Sequence, residues 1–133
     1  MRLVIDCNVV IAAARADGAC RAAILLAVEH DDIFVSAPIL AEYRDVAMRP
    51  KHRQYQTTAL SVINMLESVA RLLAPSEKAP ILPDPKDEMY LATALTAHAQ
   101  AIITGNTRDF PPERCLPARI LTPRAFLDLS AAR

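Results

Sequence analysis

Short apolar segments alternate along this chain with longer segments in which apolar residues recur every three or four positions. The short segments are typical of buried strands, and they lie at 3–5, 33–35, 69–74, 101–103 and 119–121. The longer segments are typical of helices, and they lie at 24–30, 38–48, 57–72 and 89–100. Strands that alternate with helices are joined by right-handed crossovers, which place helices on both faces of a parallel sheet. The pattern therefore predicts a three-layer α/β/α fold with a parallel sheet of about five strands.

Prolines mark the expected starts of three helices. Proline fits the first turn of a helix, and a polar side chain just before it can cap the free backbone N–H groups there. The three combinations are Ser36 or Ala37 before Pro38, Asp84 before Pro85, and Thr122 before Pro123. We therefore expect helices to begin at these three places.

The composition predicts one domain with an aliphatic core. The chain has 133 residues, of which 53% are hydrophobic and only 5% aromatic, and it contains no tryptophan. A chain of this length can bury about two-thirds of the surface that its unfolded form exposes. Residues 1–133 are therefore expected to fold as a single domain, and the composition excludes disorder.

Charge and cysteine content restrict the function classes. Fifteen basic and fifteen acidic residues cancel, so binding to a nucleic acid must depend on local basic patches. Cys7, Cys20 and Cys115 are odd in number and lack the spacing of a zinc site, so they are expected to be small buried side chains. No segment is apolar enough to span a membrane, and we expect a cytoplasmic protein.

Several polar residues lie where the expected strands end or where helices begin. Asp6 and Asn8 follow the first strand, and the segment TGNTRDF (104–110) follows the strand at 101–103. Glu42 and Asp87 lie near the starts of helices. In an open parallel sheet, ligands bind beyond the carboxyl ends of the strands. These residues are therefore candidates for one common site.

Each candidate also has an ordinary structural explanation. Asp6 suits a turn between a strand and a helix, and Glu42 suits the exposed face of a helix. Asp87 falls in the first turn of a helix, where a carboxylate favours the dipole. Asn106 suits a tight turn and Asp109 an ordinary loop. What favours a common site is that a doubly wound sheet brings all these chain positions to one edge.

Several carboxylates in one cleft predict a metal ion. Three or four of them repel one another by several kcal/mol in a partly dry site unless a cation neutralises them or their pKa values rise. Oxygen ligands without histidine or cysteine select a hard ion, either Mg²⁺ or Mn²⁺. Such an ion suits a substrate that carries phosphate.

Four segments in order give this chain a family resemblance. They are LVIDCNVVIAA, ILAEYRDV, LPDPKDEMYLATAL and AIITGNTRDFP. Together they resemble the PIN-domain nucleases, and more narrowly the branch described as toxin components of toxin-antitoxin systems, related to the VapC-type toxins. The resemblance extends from residue 2 to about residue 125. It implies an α/β/α sandwich, a ribonuclease that depends on Mg²⁺ or Mn²⁺, and an antitoxin as protein partner.

The resemblance also assigns roles to individual residues. Asp6 matches the first acid of the family, Glu42 the second and Asp87 the third, while Asn8 matches the polar residue that accompanies the first acid. The resemblance implies that Asp6 and Asp87 hold the ion directly. It implies that Glu42 holds the ion through water or positions the nucleophile. Cys7, between Asp6 and Asn8, is expected to face away from the site.

The fourth acidic position departs from the family pattern. Many members have an acid directly after Thr-Gly, and here Asn106 occupies that place. Asp109 is the nearest carboxylate, and the two residues are expected to complete the metal shell together. Thr104 is expected to add a hydroxyl near the scissile bond. An amide supplies less charge than an acid, so a second metal ion is expected to bind more weakly than in a full quartet.

A basic segment follows Glu42 and is expected to bind the RNA backbone. Its candidate residues are Arg44, Arg49, Lys51 and Arg53. Phosphate contacts dominate the affinity of proteins for nucleic acids, and these cations lie close in sequence to the acidic centre. The alternative is a solvated helix end whose cations complement the dipole.

Other polar residues receive no catalytic assignment. The three histidines, including His52, are scattered without the spacing of metal ligands. Glu67 and Arg71 are four residues apart in a helical segment and are expected to pair on the surface. Apolar residues of the helix around 58–73 suit either the core or a partner, and we expect a homodimer as well as an antitoxin partner.

Three functions from different classes remain open on the sequence. The first is a metal-dependent endoribonuclease that acts as a toxin. The second is a catalytically weakened module that binds RNA or a protein, which Asn106 favours. The third is a phosphotransfer domain with Asp6 as acceptor, but the chain has Asp-Cys-Asn where phosphatases of that type have Asp-x-Asp.

Overall fold

A computed structural model describes residues 1–133, which form a five-stranded, entirely parallel sheet. Its strands are β1 (Arg2–Ile5), β2 (Asp32–Val35), β3 (Arg71–Leu72), β4 (Ala101–Ile103) and β5 (Arg119–Leu121). The spatial order is β3-β2-β1-β4-β5. The α/β fold with a parallel sheet of five strands is therefore confirmed.

The chain also contains seven α-helices, which alternate with the strands or follow them in the sequence. They are α1 (Cys7–Arg15), α2 (Ala19–His30), α3 (Ala37–Ala47), α4 (Gln56–Val69), α5 (Glu88–Thr96), α6 (Pro112–Cys115) and α7 (Pro123–Ala131). Three 3-10 helices lie at Pro50–Tyr55, Pro85–Asp87 and Thr107–Asp109. None of the helices has the length and apolar character that crossing a bilayer requires.

The core is aliphatic, as the composition predicts. Leu3, Val4 and Ile5 of the central strand β1 are fully buried, and so are Ile102 and, almost completely, Ile103 of β4 beside it. Strands that are buried on both faces have no polar alternation, which is why these segments are continuous apolar runs. The first polar side chains therefore appear where the strands end.

The strand order determines where a site can form. From β1 the chain adds β2 and β3 on one side, and β4 then returns to the other side of β1. The backbone N–H of Asp6 donates to the carbonyl of Ile103 at 2.9 Å, which joins the carboxyl ends of β1 and β4. A crevice beyond such a reversal is where open parallel sheets bind their ligands.

Two of the three expected helix starts are confirmed, and the third is corrected. Ser36 accepts from the N–H of Ile39 at 3.4 Å, and Thr122 accepts from that of Ala125 at 3.0 Å. Asp84 also caps a turn, but this turn is the 3-10 helix Pro85–Asp87, and α5 begins only at Glu88. Asp87 is therefore the N-cap residue of α5 and not its third residue.

Three further details differ from the expectations. The helical pattern through residue 72 ends at Val69, because Arg71 and Leu72 pair with β2. Helix α1 has no counterpart among the predicted helices, and six of its nine residues are buried. Glu67 pairs with Arg44 at 2.7 Å, so the expected pair with Arg71 is wrong. Arg71 lies in a strand and contacts Asp32 instead.

Candidate active site

Asp6 is a buried carboxylate at the junction of β1 and α1. Only 5% of its surface is exposed, and the hydroxyl of Thr104 donates to its Oδ2 atom at 2.8 Å. Burial raises the pKa of Asp6 to about 6, while the Thr104 hydroxyl opposes the rise and the charges of Glu42 and Asp109 add to it. No basic side chain forms an ion pair with Asp6, so the carboxylate is uncompensated.

The loop after β4 is attached to α1 through side chains. Asn8 accepts from the N–H of Gly105 at 3.0 Å, and the hydroxyl of Thr104 accepts from the N–H of Asn106 at 3.0 Å. Gly105 lies so close that a β-carbon there would come within 3.4 Å of the Asn8 amide oxygen. Asn8 and Thr104 therefore act first as supports that keep this loop against Asp6.

Glu42 projects from α3 and is held by a buried phenol. The hydroxyl of Tyr90, which is fully buried on α5, donates to the Oε1 atom of Glu42. The neighbouring Tyr43 is also fully buried and donates to the carbonyl of Ile5 at the end of β1. The two tyrosines connect α3 to α5 and to β1, so the position of Glu42 is coupled to the core.

Asp87 and Asp109 are the remaining acids of the site. Burial raises the pKa of Asp87 to about 7, and the charges of Asp6, Asp109, Asp84 and Glu42 contribute further. Asp109 accepts from the side-chain amide of Asn106 at 2.9 Å. The charges of the neighbouring acids thus disfavour the ionisation of Asp87 across a shared space.

One cleft of about 470 Å³ brings most of these side chains together. Its lining includes four of the predicted acids and the amide beside the first of them, namely Asp6, Glu42, Asp87, Asp109 and Asn8. Asn106 and Thr104 do not line it, and they contact Asp109 and Asp6 from behind.

The predicted basic residues divide into two groups. Arg49 and Lys51 line the cleft, whereas Arg44 is paired with Glu67 and, like the exposed Arg53, lies outside the lining. The divided set follows from the geometry of α3 and the 3-10 helix after it, which point successive side chains in different directions.

Several lining residues were not predicted from the sequence. They are Arg15, His52, Asp84 and Lys86, together with Cys7. Cys7 was expected to face away, but it follows Asp6 as the first residue of α1 rather than as a strand residue, so the alternation of a strand does not apply. Its burial is as expected, whereas Cys20 is only half-buried. Arg15 lies seven residues after Asn8, a spacing that places both on the same side of a helix. This spacing is the sequence signal that could have predicted Arg15 in the cleft.

The acids have the chemistry that a divalent cation needs. Their oxygen atoms are hard ligands, and burial together with the neighbouring acids raises the pKa values of Asp6 and Asp87, so a bound cation would favour the ionised forms. Three histidine, cysteine or acidic side chains are nowhere arranged closely enough to hold an ion as they stand. The chemistry of the donor set, oxygen atoms of carboxylates, suits Mg²⁺ or Mn²⁺.

Comparisons with known proteins identify the fold and the family of this chain. A chain of VapBC2 from Rickettsia felis, bound to a DNA fragment from the promoter, superposes with a TM-score of 0.64 and 16% identity, covering 92% of this chain and 98% of that chain. A chain of VapBC-1 from nontypeable Haemophilus influenzae gives 0.62 and 19%, covering 93% and 99%. No curated protein matches this chain in sequence. The family model described as PIN domain matches residues 2–108, and this chain therefore belongs to the PIN-domain family.

Proposed function

We propose that this protein is an endoribonuclease that depends on Mg²⁺ or Mn²⁺ and hydrolyses phosphodiester bonds of RNA. The observation that supports this proposal best is the cleft itself, in which Asp6, Glu42, Asp87 and Asp109 face one space beside exposed cations. Membership of a family that typically consists of nucleases supports the same reaction class.

The four acids have separate tasks in the proposed reaction. Asp6 and Asp87 would bind the cation directly, the role that the family resemblance implies for the first and third acids, and both line the cleft. Glu42, fixed by Tyr90, binds through water or orients the attacking water. A bound divalent cation supplies acidification of that water and charge stabilisation at the phosphorus.

Asn106 and Asp109 share the fourth position in this proposal. The side-chain amide of Asn106 donates to one carboxylate oxygen of Asp109. This neutral partner orients the carboxylate and leaves its charge in place. Asp109 then supplies the charge and Asn106 the orientation. Thr104 holds Asp6 by its hydroxyl hydrogen bond.

A cleavage assay tests the proposal. Purified protein is incubated with structured and unstructured RNA in the presence of Mg²⁺, Mn²⁺ or EDTA, beside an Asp6→Asn variant. Cleavage is expected with either metal, and it is expected to be lost in EDTA and in the variant. The matched control is Asp128→Asn, an exposed acid on α7 outside the cleft, which is expected to cleave like the unchanged protein.

A weakened binding module is the alternative function. The feature that favours it is Asn106, an amide where the family pattern commonly has an acid. Tight binding of RNA, with no cleavage in the presence of either Mg²⁺ or Mn²⁺, would support this alternative and contradict the proposed activity. An acid-labile phosphate on Asp6 would instead indicate phosphotransfer.

We further infer an antitoxin partner, a homodimer and a cytoplasmic site of action. The structural neighbours from two VapBC complexes support the partner. Exposed apolar side chains such as Leu25, Met48 and Leu116 offer surface for contacts with proteins. Light scattering measures the mass of the purified chain, and a monomer would contradict the dimer. An antitoxin-like reading frame beside the gene would support the toxin role.

A further inference from the structure

The cleft extends along one face of α1. Asn8, Ile11, Ala12 and Arg15 all line it, and their spacing of three, four and seven residues places them on the same side of the helix. Seven residues of helix correspond to a rise of about 10 Å. The cleft is therefore elongated, with Asn8 near the acids at one end and Arg15 at the other.

The side of the cleft opposite α1 also changes from acidic to basic along its length. Glu42, Val46 and Arg49 line the cleft at spacings of four and three residues, in the order acid, apolar, basic. Helix α1 packs against α3, and Arg49 lies two residues beyond the end of α3, so Arg15 and Arg49 line the same part of the cleft around His52. Lys51 and His52 also line this region, which we call the basic end, defined by Arg15, Arg49, Lys51 and His52.

The charge of the basic end is largely uncompensated within the protein. Neither Arg15 nor Lys51 has a carboxylate within ion-pair distance, and Arg49 contacts only the exposed Asp45, at 3.4 Å. His52 is 8% exposed and hydrogen-bonded to Tyr55. Burial lowers the pKa of His52, and the charges of Lys51, Arg49 and Arg15 lower it further, so all three cations lie close to this ring.

We propose that the basic end binds a backbone phosphate of single-stranded RNA within three nucleotides of the bond that is cut. This inference rests on the proposed function and adds the path of the substrate. Adjacent phosphates of an unstacked single strand lie farther apart than the axial rise of about 3.4 Å per nucleotide in a duplex, so about 10 Å spans at most three steps. Ile11 and Val46 lie between the two ends and contact the intervening sugars or bases.

The dimensions of the cleft favour a single strand. A volume of about 470 Å³ is in the range of pockets for small ligands, which suits a short stretch of a single strand better than a duplex. The acids at one end need a cation before phosphate can approach, whereas the basic end is ready to bind it. The two ends therefore make separable contributions to substrate binding.

A binding experiment tests this inference. In the Asp6→Asn background, anisotropy measures the affinity for labelled ten-nucleotide RNA, before and after Arg15→Gln and Lys51→Gln are added together. The added changes are expected to weaken binding at least tenfold and to reduce the slope of log affinity against log salt by about 1.4, since each cation on a single strand contributes about 0.7. A ten-nucleotide DNA is expected to lose affinity similarly, because the phosphates are shared.

Controls separate this inference from the proposed activity. Lys78→Gln with Arg124→Gln removes two exposed cations outside the cleft, and unchanged RNA affinity is expected. Arg15→Lys with Lys51→Arg keeps the charge and is expected to retain most of the affinity. Unchanged RNA binding by the Arg15→Gln, Lys51→Gln protein would overturn the inference, as would an affinity loss confined to DNA. Cleavage that persists in the Asp6→Asn single variant would overturn the proposed function instead.

Discussion

The hydrogen bond between Tyr90 and Glu42 is the residue-scale contact that most directly connects the core to the cleft. A phenol that is fully buried has few alternative partners, so it keeps Glu42 in one orientation. Tyr43 provides an internal comparison, since it is equally buried but donates to the backbone carbonyl of Ile5. Variants that lack one or the other phenol hydroxyl therefore separate two effects, the loss of a buried hydrogen bond and the release of Glu42.

We predict that Tyr90→Phe lowers kcat about tenfold, with a small change in KM. Glu42 would lose its only side-chain partner, and its carboxylate would sample other orientations. Removing one buried hydrogen bond is also expected to cost about 1 kcal/mol of stability. Tyr43→Phe is the control, with a similar stability loss but a smaller change in kcat. Equal kcat values for Tyr90→Phe and the unchanged protein would contradict the positioning role.

Individual residues were predictable from the sequence to different degrees. The four acids of the cleft are recognisable in the sequence because they lie near expected strand ends or helix starts, and a parallel sheet brings these positions to one edge. They are Asp6, Glu42, Asp87 and Asp109. Arg15 was not predictable, because its place in the cleft depends on the length of α1 and on how α1 packs against α3. His52 is a further example, since a histidine without metal spacing gives no local signal of burial.

At the scale of elements, strands were easier to predict than helix boundaries. All five strands are present near their expected positions, because a buried parallel strand is a short apolar run with polar residues at its ends. Helix α1 escaped prediction because most of its circumference is buried. The 3-10 helix Pro85–Asp87 shows that Asp before Pro marks a turn, and that tertiary contacts decide whether the turn continues as an α-helix.

The N-caps of α3 and α7 provide a prediction at this scale. Ser36→Ala and Thr122→Ala should each lower the free energy of unfolding by about 1 kcal/mol, because each loses the side-chain acceptor for a backbone N–H. Only Ser36→Ala should also reduce RNA cleavage, since α3 carries Glu42 and α7 contributes no side chain to the cleft. Urea denaturation measures the first effect and initial cleavage rates the second. Equal losses of activity would argue against this separation.

The whole molecule should show an unusual dependence of stability on pH when no metal is present. The pKa values of Asp6 and Asp87 are raised to about 6 and about 7, so the folded state binds more protons than the unfolded state between pH 4 and 7. The free energy of unfolding should therefore fall as pH rises through this window. The shift at Asp6 alone corresponds to roughly 3 kcal/mol.

Thermal unfolding in EDTA across this pH range measures the effect. Asp6→Asn should make the decline shallower, and Asp128→Asn should leave it unchanged. Excess Mn²⁺ at pH 8 should raise the Tm of the unchanged protein and raise that of Asp6→Asn much less, because ligands that bind only the folded state stabilise it. A stability that increases from pH 4 to 7 in EDTA would contradict the raised pKa values.

The strand order also determines when the cleft can form during synthesis, because β4 lies beside β1 in the sheet but far from it in the sequence. Strand β1 is made about a hundred residues before its neighbour β4 and the loop that holds Asp6. At translation rates of about 5–20 residues per second, the emerging chain spends several seconds with Asp6 but without Thr104 or Asp109. The cleft is therefore complete only after β4 and the loop that follows it have left the ribosome.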